Sequence, residues 1–375
     1  RLPRSGIDDF KLPDLMLGVY DWVIAWDHVQ QRAWLISHGF PETDPVRRSD
    51  RAARRAASVR KCLDGAVETV PAQTVAKRPV AQRQPAVSAG DEFPLPGHPH
   101  VRSNFLRDSY LRAVERVVEY IYAGDIFQAN LSQRLISDWD ASSLDLYATL
   151  RDCNPAPFAG YFAHDDWAVI SSSPERFVRV SGDQVETRPI KGTRRRRDVP
   201  EADLFTRDEL RESEKDTAEN IMIVDLLRND LSRVCLPGTI SVPQLCVVEP
   251  YETVQHLVSE IRGQLRTDES GRPDLWSLLA AVFPGGSITG APKVRAMQII
   301  DLLEPTARGP YCGSLMYAGF DGTFDSSILI RTLMMRDGRV YCPVGGGIVA
   351  QSNPVAEYEE TLHKAEGILR ALRRE

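Results

Sequence analysis

A long segment interrupted by prolines constrains the fold most, because it divides the chain into two unequal parts. Residues 62–102 form an Ala-, Val- and Gln-rich stretch in which Phe93 is the one aromatic residue. The prolines that interrupt it are Pro71, Pro79, Pro85, Pro94, Pro96 and Pro99. Such a segment cannot form a core of its own. We therefore predict an N-terminal region over 1–61, a linker over 62–102 and a large domain over 103–375.

The N-terminal region contains two recognisable elements. Residues 18–38 predict a β-hairpin, since aromatic and β-branched residues dominate both arms. Residues 45–61 predict a helix, and its basic side chains are Arg47, Arg48, Arg51, Arg54, Arg55, Arg60 and Lys61. This helix could bind an acidic partner, but an ordinary solvated face is the more common explanation of such a pattern.

The large domain mixes hairpins and helices without a regular βαβ alternation. A helix is predicted from Ser103, as its N-cap, to Gly124, because apolar residues recur there at helical spacing. Further predicted helices cover 213–234, 292–303 and 353–370, and predicted strands and hairpins cover 127–136, 167–171, 176–188 and 328–344. This order favours the α+β class over a doubly wound sheet.

Composition excludes several classes of protein. The chain has 375 residues, of which 42% are hydrophobic and 26% charged, so it can bury a large core. A net charge of −6 disfavours a nucleic-acid binder. No apolar run approaches the roughly 18 residues that span a membrane. Without a C-x-x-C pair or a signal-peptide pattern, the six cysteines are expected to be thiols in the cytoplasm.

Two glycine-rich stretches could bring backbone amides close to a ligand. The sequence of 285–293, GGSITGAPK, fails as a P-loop because Ala291 and Pro292 stand where Lys and then Ser or Thr are needed. It could still bind an anion at the following helix, or be a plain turn. Gly345, Gly346 and Gly347 could approach a ligand, or form a bulged hairpin end.

The C-terminal helix offers a candidate metal site. Glu357, Glu360 and Lys364 share one helix face, and two carboxylates there suit a hard cation such as Mg²⁺. Glu219, on the helix predicted over 213–234, could complete the site from a second element. The alternatives are an ordinary surface ion pair on the C-terminal helix and a capping or surface role for Glu219.

Lys191 is a candidate nucleophile. It follows a predicted strand and precedes the basic run 194–197. Neighbouring cations and burial both lower the pKa of a lysine and make the free amine available. A basic loop without a ligand is the alternative explanation.

Together these segments resemble the chorismate-utilising enzymes, which include anthranilate synthase component I, aminodeoxychorismate synthase component I, isochorismate synthase and salicylate synthase. The matching stretches, in family order, are DIFQANLSQR (125–134), SSPERF (172–177), ETRPIKGTR (186–194), AENIMIVDLLRNDLSRV (218–234), YETVQHLVSEIRG (251–263), FPGGSITGAPK (283–293), GPYCGSLMY (309–317), SSILIRT (326–332) and GGGIVAQSNPVAEYEETLHKA (345–365). The resemblance implies a large sandwich of two antiparallel sheets flanked by helices, with 103–375 as the chorismate-binding catalytic domain. It also leads us to expect that the N-terminal part is truncated.

The resemblance also implies residue roles. Lys191 lies in P-I-K-G-T, which resembles aminodeoxychorismate synthases, since anthranilate synthases carry Ala at this position. Gln128 replaces the lysine with which isochorismate and salicylate synthases activate water, so water addition is disfavoured. Glu175 matches the general acid, and His256 matches a catalytic position.

The remaining family positions bind magnesium and substrate. Glu219 and Glu360 match Mg²⁺ ligands, and Glu357 matches a ligand that acts through water. The positions that match substrate contacts are Gly192, Thr193, Ser287, Tyr311, Arg331, Gly345, Gly346, Gly347, Lys364 and Gln128. The implied partners are chorismate, ammonia and a separate glutamine amidotransferase subunit.

Two alternatives stay open. The first is anthranilate synthase component I, against which Lys191 speaks. The second is an inactive, truncated protein that binds an anion or nucleic acid through the basic segments 47–61 and 194–197, against which the net charge speaks. Family members often read G-T-R-P-R-G where this chain has GTRRRR (192–197), and that difference leaves the conformation of the loop open.

Overall fold

The computed structural model describes residues 7–65, 90–196, 199–251, 254–267 and 274–373. Their contacts divide the chain into a small unit, 13–87, and a large unit made of 1–12 and 88–375. In these ranges no helix is both long and apolar enough to cross a membrane.

The small unit consists of a hairpin and a helix. Strands β1 (Trp22–Asp27) and β2 (Arg32–Ser37) pair antiparallel, and α1 (Pro45–Gly65) follows. The hairpin and the helix predicted from the sequence are thus confirmed. Arg55 of α1 donates from Nε to Asp21 Oδ2 at 2.9 Å, which ties the helix to the hairpin. The basic helix face is therefore partly engaged by acidic side chains of its own unit.

The large unit contains most of the described elements. Its strands are β3 (Phe93–Leu95), β4 (His98–Ser103), β5 (Gln128–Asp138), β6 (Phe158–His164), β7 (Trp167–Ser173), β8 (Arg176–Ser181), β9 (Gln184–Thr187), β10 (Ile190–Arg195), β11 (Ser241–Pro250), β12 (Val254–Gln264), β13 (Gly290–Ala291), β14 (Ser314–Ala318), β15 (Phe324–Ile328), β16 (Thr332–Arg336) and β17 (Arg339–Ile348). Its helices are α2 (Arg107–Tyr122), α3 (Ser143–Cys153), α4 (Pro200–Glu212), α5 (Glu214–Ser232), α6 (Leu275–Val282), α7 (Lys293–Leu303) and α8 (Pro354–Ala371).

The strands form two antiparallel sheets. The first sheet has the order β3-β4-β5-β17-β16-β7-β6, and β13 pairs with β5. The second has the order β10-β12-β9-β8-β15-β14, and β11 pairs with β12. Every strand pair described is antiparallel. The predicted α+β class with antiparallel sheets and helices is confirmed.

Helices cover the sheets through separate apolar clusters. On the first sheet, α2 and α7 pack on β5 through Tyr110, Leu131 and Ile299, whereas α3 and α8 pack on β7, β16 and β17. On the second sheet, Ile223 of α5 belongs to the same cluster as Ile261 of β12. Helix α5 is therefore held against the sheet that carries Lys191.

The segment before α2 is folded further than the sequence predicts. Residues 93–95 and 98–103 are strands of the first sheet, and Leu95 is buried, so the folded part begins inside the predicted linker. Pro94 is tolerated because β3 is an edge strand, where a missing N–H costs little. Residues 62–65 end α1, and 66–89 lie outside the described residues.

Helix α2 begins later than predicted. Its N-cap is Leu106, whereas Ser103 ends β4 and donates from Oγ to Gln133 Oε1 at 2.7 Å. The serine that we expected to cap the helix is therefore used to join β4 to β5, and a local sequence pattern does not distinguish these two roles. The predicted hairpins over 176–188 and 328–344 and the predicted helix ends near 213 and 353 are confirmed.

Candidate active site

A bulge in β10 sets the direction of Lys191. In the pairing of β10 with β12, Lys191 lies opposite Leu257 and Thr193 lies opposite His256, so Gly192 is an extra residue. Its φ of +69° favours glycine, and a Cβ there would meet Leu210 Cδ1 at 2.7 Å. Bulges redirect the neighbouring side chains. The predicted contact residues Gly192 and Thr193 therefore shape the strand end that presents Lys191.

Lys191 lies where elements of both sheets meet. Its Nζ is 3.7 Å from Glu219 Oε2 of α5. A Cβ built on Gly347 of β17 would be 3.2 Å from Lys191 Nζ and 2.1 Å from Gln128 Nε2. The nucleophile candidate, the amide and the glycine therefore come together, although they lie far apart in the sequence.

Gln128 is a buried amide without a partner. Its side chain is 1% exposed, and neither Oε1 nor Nε2 makes a hydrogen bond among the described residues. A buried polar group left unpaired costs about 1–3 kcal/mol, so such groups often mark a binding site for a polar molecule. This observation supports the predicted substrate role of Gln128.

Glu175 occupies a buried position between β7 and β8. It is 4% exposed, and Ser287 donates from Oγ to Glu175 Oε1 at 2.8 Å. Burial raises the pKa of Glu175 to about 7, although the Ser287 hydrogen bond and the charge of Lys191 act in the opposite direction. A carboxyl group with this pKa is partly protonated near neutral pH and can act as a general acid.

His256 contributes a neutral side chain to the site, and Arg331 contributes a cationic one. Burial, followed by the charge of Arg331, lowers the pKa of His256 to about 4, so the imidazole is neutral at physiological pH. Its Nδ1 is 2.9 Å from Thr193 Oγ1. Burial opposes the charge of the Arg331 guanidinium, whereas the charge of Glu175 favours it. A largely enclosed guanidinium is suited to bind a carboxylate of a ligand.

Two residues that support the site were missed by the sequence analysis. The Arg308 guanidinium lies 5.5 Å from the ring centroid of Tyr311 and donates from Nη1 to Ile288 O at 3.1 Å. Glu304 pairs with Arg308 at 2.6 Å. Arg308 thereby ties the turn that contains Ser287 to Tyr311. The sequence feature that could have indicated them is the i, i+4 spacing of Glu304 and Arg308. This spacing is common in surface ion pairs, so it did not indicate a site.

The three glycines 345–347 lie inside β17 rather than at a hairpin end. Gly345, Gly346 and Gly347 pair with Ser132, Leu131 and Asn130 of β5 in an unbroken register, so the alternative of a bulged end is wrong. A Cβ on Gly346 would lie 3.4 Å from both Glu357 Oε2 and Glu360 Oε1 and 3.5 Å from Lys364 Nζ. The strand backbone is thus directly accessible to these side chains.

Each of the three predicted metal-binding glutamates is paired with a lysine. The pairs are Glu219 with Lys191 at 3.7 Å, Glu357 with Lys215 at 3.1 Å, and Glu360 with Lys364 at 2.6 Å. We call these six residues the glutamate–lysine cluster. Lys364 also donates to Gly345 O at 3.1 Å. Lys215 is the member that the sequence analysis did not predict.

The cluster has the donor chemistry of a hard-cation site but is not closed around one. Among the described residues, no three Asp, Glu, His or Cys side chains come close enough together to hold a metal ion. However, Glu357 Oε2 is buried without a partner, and it faces the same glycine as Glu360 Oε1. Carboxylate oxygens are the ligands that Mg²⁺ prefers. The residues present therefore fit Mg²⁺ in type.

The basic run after Lys191 is held by acidic helices. Arg194 pairs with Glu209 at 3.0 Å and with Asp216 at 3.2 Å, and Arg196 pairs with Asp203 at 3.0 Å. Arg194 and Arg196 therefore have internal partners, which disfavours a free anion-binding surface at these two residues.

Comparison with known proteins identifies the family. Residues 4–370 match the model of the chorismate binding enzyme family. The chain belongs to this family. The match extends across nearly the whole chain.

Individual relatives carry two different names. Aminodeoxychorismate synthase component 1 of Klebsiella aerogenes is 41% identical over 371 residues, which are 99% of this chain and 73% of that protein. Anthranilate synthase component 1 of Pseudomonas putida is 38% identical over 365 residues, or 97% of this chain and 70% of that protein. The crystal structure of anthranilate synthase component I from Streptococcus pneumoniae superposes with a TM-score of 0.80 at 29% identity and covers 99% of this chain and 76% of that one.

Proposed function

We propose that this protein is the synthase component of an aminodeoxychorismate synthase, which converts chorismate and ammonia to 4-amino-4-deoxychorismate on the route to 4-aminobenzoate and folate. The observation that carries the proposal is the position of Lys191, whose charge acts on Glu175 and whose Nζ lies beside Gln128 and Gly347. The 40–41% identity to proteins named aminodeoxychorismate synthase component 1 supports it.

The substrate would be held by its two carboxylates. Arg331 supplies a cation, Tyr311 a hydroxyl group and Gly345–Gly347 their backbone amides, while Gln128 offers a neutral amide. Magnesium held by Glu219 and Glu360, with Glu357 acting through water, would neutralise the ring carboxylate of chorismate. Lys364, Gly192, Thr193 and Ser287 then line or support the same site.

The reaction proceeds by two allylic displacements. Lys191 first releases its proton to solvent. Its neutral amine then attacks C2 of chorismate, both ring double bonds shift, and the 4-hydroxyl group leaves C4 as water with a proton from Glu175. Ammonia then attacks C4, both double bonds shift back, and the amine of Lys191 leaves C2. The excess proton of the added ammonia returns to Glu175. A covalent adduct thus divides one difficult substitution into two easier ones.

Glu175 and His256 have different roles in this scheme. Glu175 must be protonated before the hydroxyl group leaves, and its pKa of about 7 allows this at neutral pH. His256 is uncharged, so it does not compete with Arg331 for the substrate carboxylate, and its contact with Thr193 orients the end of β10.

Ammonia would come from a separate glutamine amidotransferase subunit, in keeping with the name component 1 of the relatives. We propose that the complex works in the cytoplasm, where the six cysteines, all free in the structure, would stay reduced.

The test is the product formed from chorismate, MgCl₂ and ammonium chloride without any partner. We expect a non-fluorescent amino-deoxychorismate, identified by mass spectrometry and converted to 4-aminobenzoate by added lyase. Fluorescent anthranilate would instead establish the activity named for the second group of relatives. Formation of isochorismate or salicylate would contradict the role assigned to Gln128. No product, even with an added amidotransferase subunit, would contradict the proposal as a whole.

A further inference from the structure

Lys215 joins the glutamate–lysine cluster without having a role in the proposed reaction. Its Nζ lies 3.1 Å from Glu357 Oε1, across the gap between the first turn of α5 and the first turn of α8. Its side chain is 44% exposed, whereas that of Lys191 is 14% exposed. Lys215 therefore lies on the solvent side of the carboxylates.

The location of Lys215 is unfavourable unless its charge has a partner. The first turn of a helix carries a partial positive charge, so a lysine there is destabilising by itself. The Glu357 carboxylate supplies that partner, with its Oε1 at 3.1 Å from Lys215 Nζ. The ion pair with Glu357 thus offsets the unfavourable position of Lys215.

Only one of the two carboxylate oxygens of Glu357 has hydrogen-bond partners in this arrangement. Oε1 accepts from Lys215 and, at 2.6 Å, from Ser352 Oγ, whereas Oε2 is buried and has no partner among the described residues. The carboxylate is 3% exposed, so bulk water does not supply that partner. A ligand that reaches Oε2 meets a carboxylate whose other oxygen is already neutralised by Lys215.

We propose that Lys215 is a built-in counter-ion that pairs with Glu357 in the metal-free protein, weakens the binding of a divalent cation and leaves Glu357 when the cation arrives. This inference rests on the proposed Mg²⁺ site. Its physical basis is that a lysine 3.1 Å from Glu357 Oε1 competes for that carboxylate and repels a cation that approaches the unpartnered Oε2.

The first test measures the binding of Mn²⁺ to the full chain in the absence of chorismate. The concentration of free Mn²⁺ is determined by electron paramagnetic resonance. Lys215→Met should bind Mn²⁺ about tenfold more tightly than the wild type, because one competing charge is lost. Lys215→Arg, which keeps the charge, should stay within about threefold of the wild type. The matched control is Arg211→Met, which removes an exposed charge from the last turn of α4 and should have little effect.

The results separate this inference from the site on which it rests. If the wild type binds Mn²⁺ but Lys215→Met binds it equally or more weakly, the counter-ion role is wrong and the metal site stands. If Arg211→Met tightens binding as much as Lys215→Met, the effect is general electrostatics and the inference is wrong. If no variant binds Mn²⁺, the metal site itself is wrong, and the inference fails with it.

A second test uses the unmodified protein and therefore does not depend on the folding of a variant. The rate at which an amine-reactive reagent labels Lys215 is measured by peptide mass spectrometry with and without saturating Mg²⁺. Labelling of Lys215 should increase severalfold with Mg²⁺, since the amine is released from Glu357, while labelling of exposed Lys11 should not change. Unchanged or slower labelling of Lys215 under conditions where the cation binds would overturn the inference.

Discussion

The acid pocket around Glu175 and the glutamate–lysine cluster use the same residue type for opposite purposes. In the acid pocket, one carboxyl group is buried and accepts a hydrogen bond from the Ser287 hydroxyl group, and burial raises its pKa to about 7. In the cluster, burial also opposes ionisation of Glu360, but Lys364, Lys215 and Lys191 together outweigh it and lower the pKa. Glu219 of the same cluster keeps a raised pKa, because burial there outweighs the charges of Lys191 and Lys215. The balance between burial and neighbouring lysines therefore sets the pKa of each glutamate separately.

Lys191 connects the two regions, because it pairs with Glu219 and its charge also acts on Glu175. Replacing it should have the largest effect. In Lys191→Ala we expect aminodeoxychorismate formation to fall by a factor of about a thousand or more, since the covalent route is lost. Product is measured from chorismate, Mg²⁺ and ammonium, and a circular dichroism melt checks the fold. Exposed Lys11→Ala is the control, and unchanged turnover in Lys191→Ala would exclude the adduct.

The acid pocket is tested by Glu175→Gln, which keeps the shape but cannot donate a proton. Turnover should fall by about 10²- to 10⁴-fold, the usual contribution of a general acid. In the wild type, turnover should decrease as pH rises above about 7, because Glu175 loses its proton. The remaining activity of Glu175→Gln should lack this decrease. A decrease that persists in the variant would assign the general acid to another residue.

The same variant should change stability in a pH-dependent way. The folded-state pKa of Glu175, about 7, is above the ordinary value of 4.5, so the protonated form is stabilised by folding. The contribution of this carboxyl group to the free energy of unfolding is fully present below pH 4.5 and is lost as pH rises through 7. Glu175→Gln cannot ionise, so its free energy of unfolding relative to the wild type should increase from pH 4.5 to 8 by up to about 3 kcal/mol. Denaturant titrations at several pH values measure this, and a constant difference would contradict the raised pKa.

In the cluster, Glu360→Gln should raise the Mg²⁺ concentration needed for half-maximal activity by at least about tenfold, since one charged ligand is lost. Glu359→Gln is the matched control, because Glu359 lies on the same helix but is exposed. Equal effects of both changes would mean that the cluster does not hold the cation. Activity that is independent of Mg²⁺ in the wild type would have the same meaning.

The smallest effect is expected from Ser287→Ala, which removes the hydrogen bond to Glu175 Oε1. That bond lowers the pKa of Glu175, so its loss should move the decrease of turnover to higher pH by up to about one unit. Thr289→Val removes a hydroxyl group from the same turn that donates to Gly285 O rather than to Glu175, and it should leave the pH profile unchanged. A shift to lower pH in Ser287→Ala would show that Ser287 acts on another group.

Much of the fold followed from local patterns. The hairpin over 176–188 and the helix from Asn353 were predicted because turns and caps depend on residues that are neighbours in sequence. The start of α2 and the strands within 93–103 were not predicted, since both depend on pairing with β5, whose sequence lies thirty residues further on. Pro94 in particular is permitted only by the edge position of its strand.

The residues of the site, like the elements of the fold, were predicted only in part. The candidate residues were found from their types and spacing together with the family resemblance. The structure brings Lys191, Gln128, Glu175, Glu219 and Gly347 together. Arg308 and Lys215 were missed, because their partners Tyr311 and Glu357 are recognised only in space.

The sequence by itself determined the family, the secondary structure of the motifs and the chemical types available at the site, because these depend on side-chain identity and short-range spacing. Only the tertiary structure decided the protonation of Glu175, the neutrality of His256 and the pairing of Lys215 with Glu357. The physical reason is that a pKa depends on burial and on nearby charges, and both are set by residues that are distant along the chain.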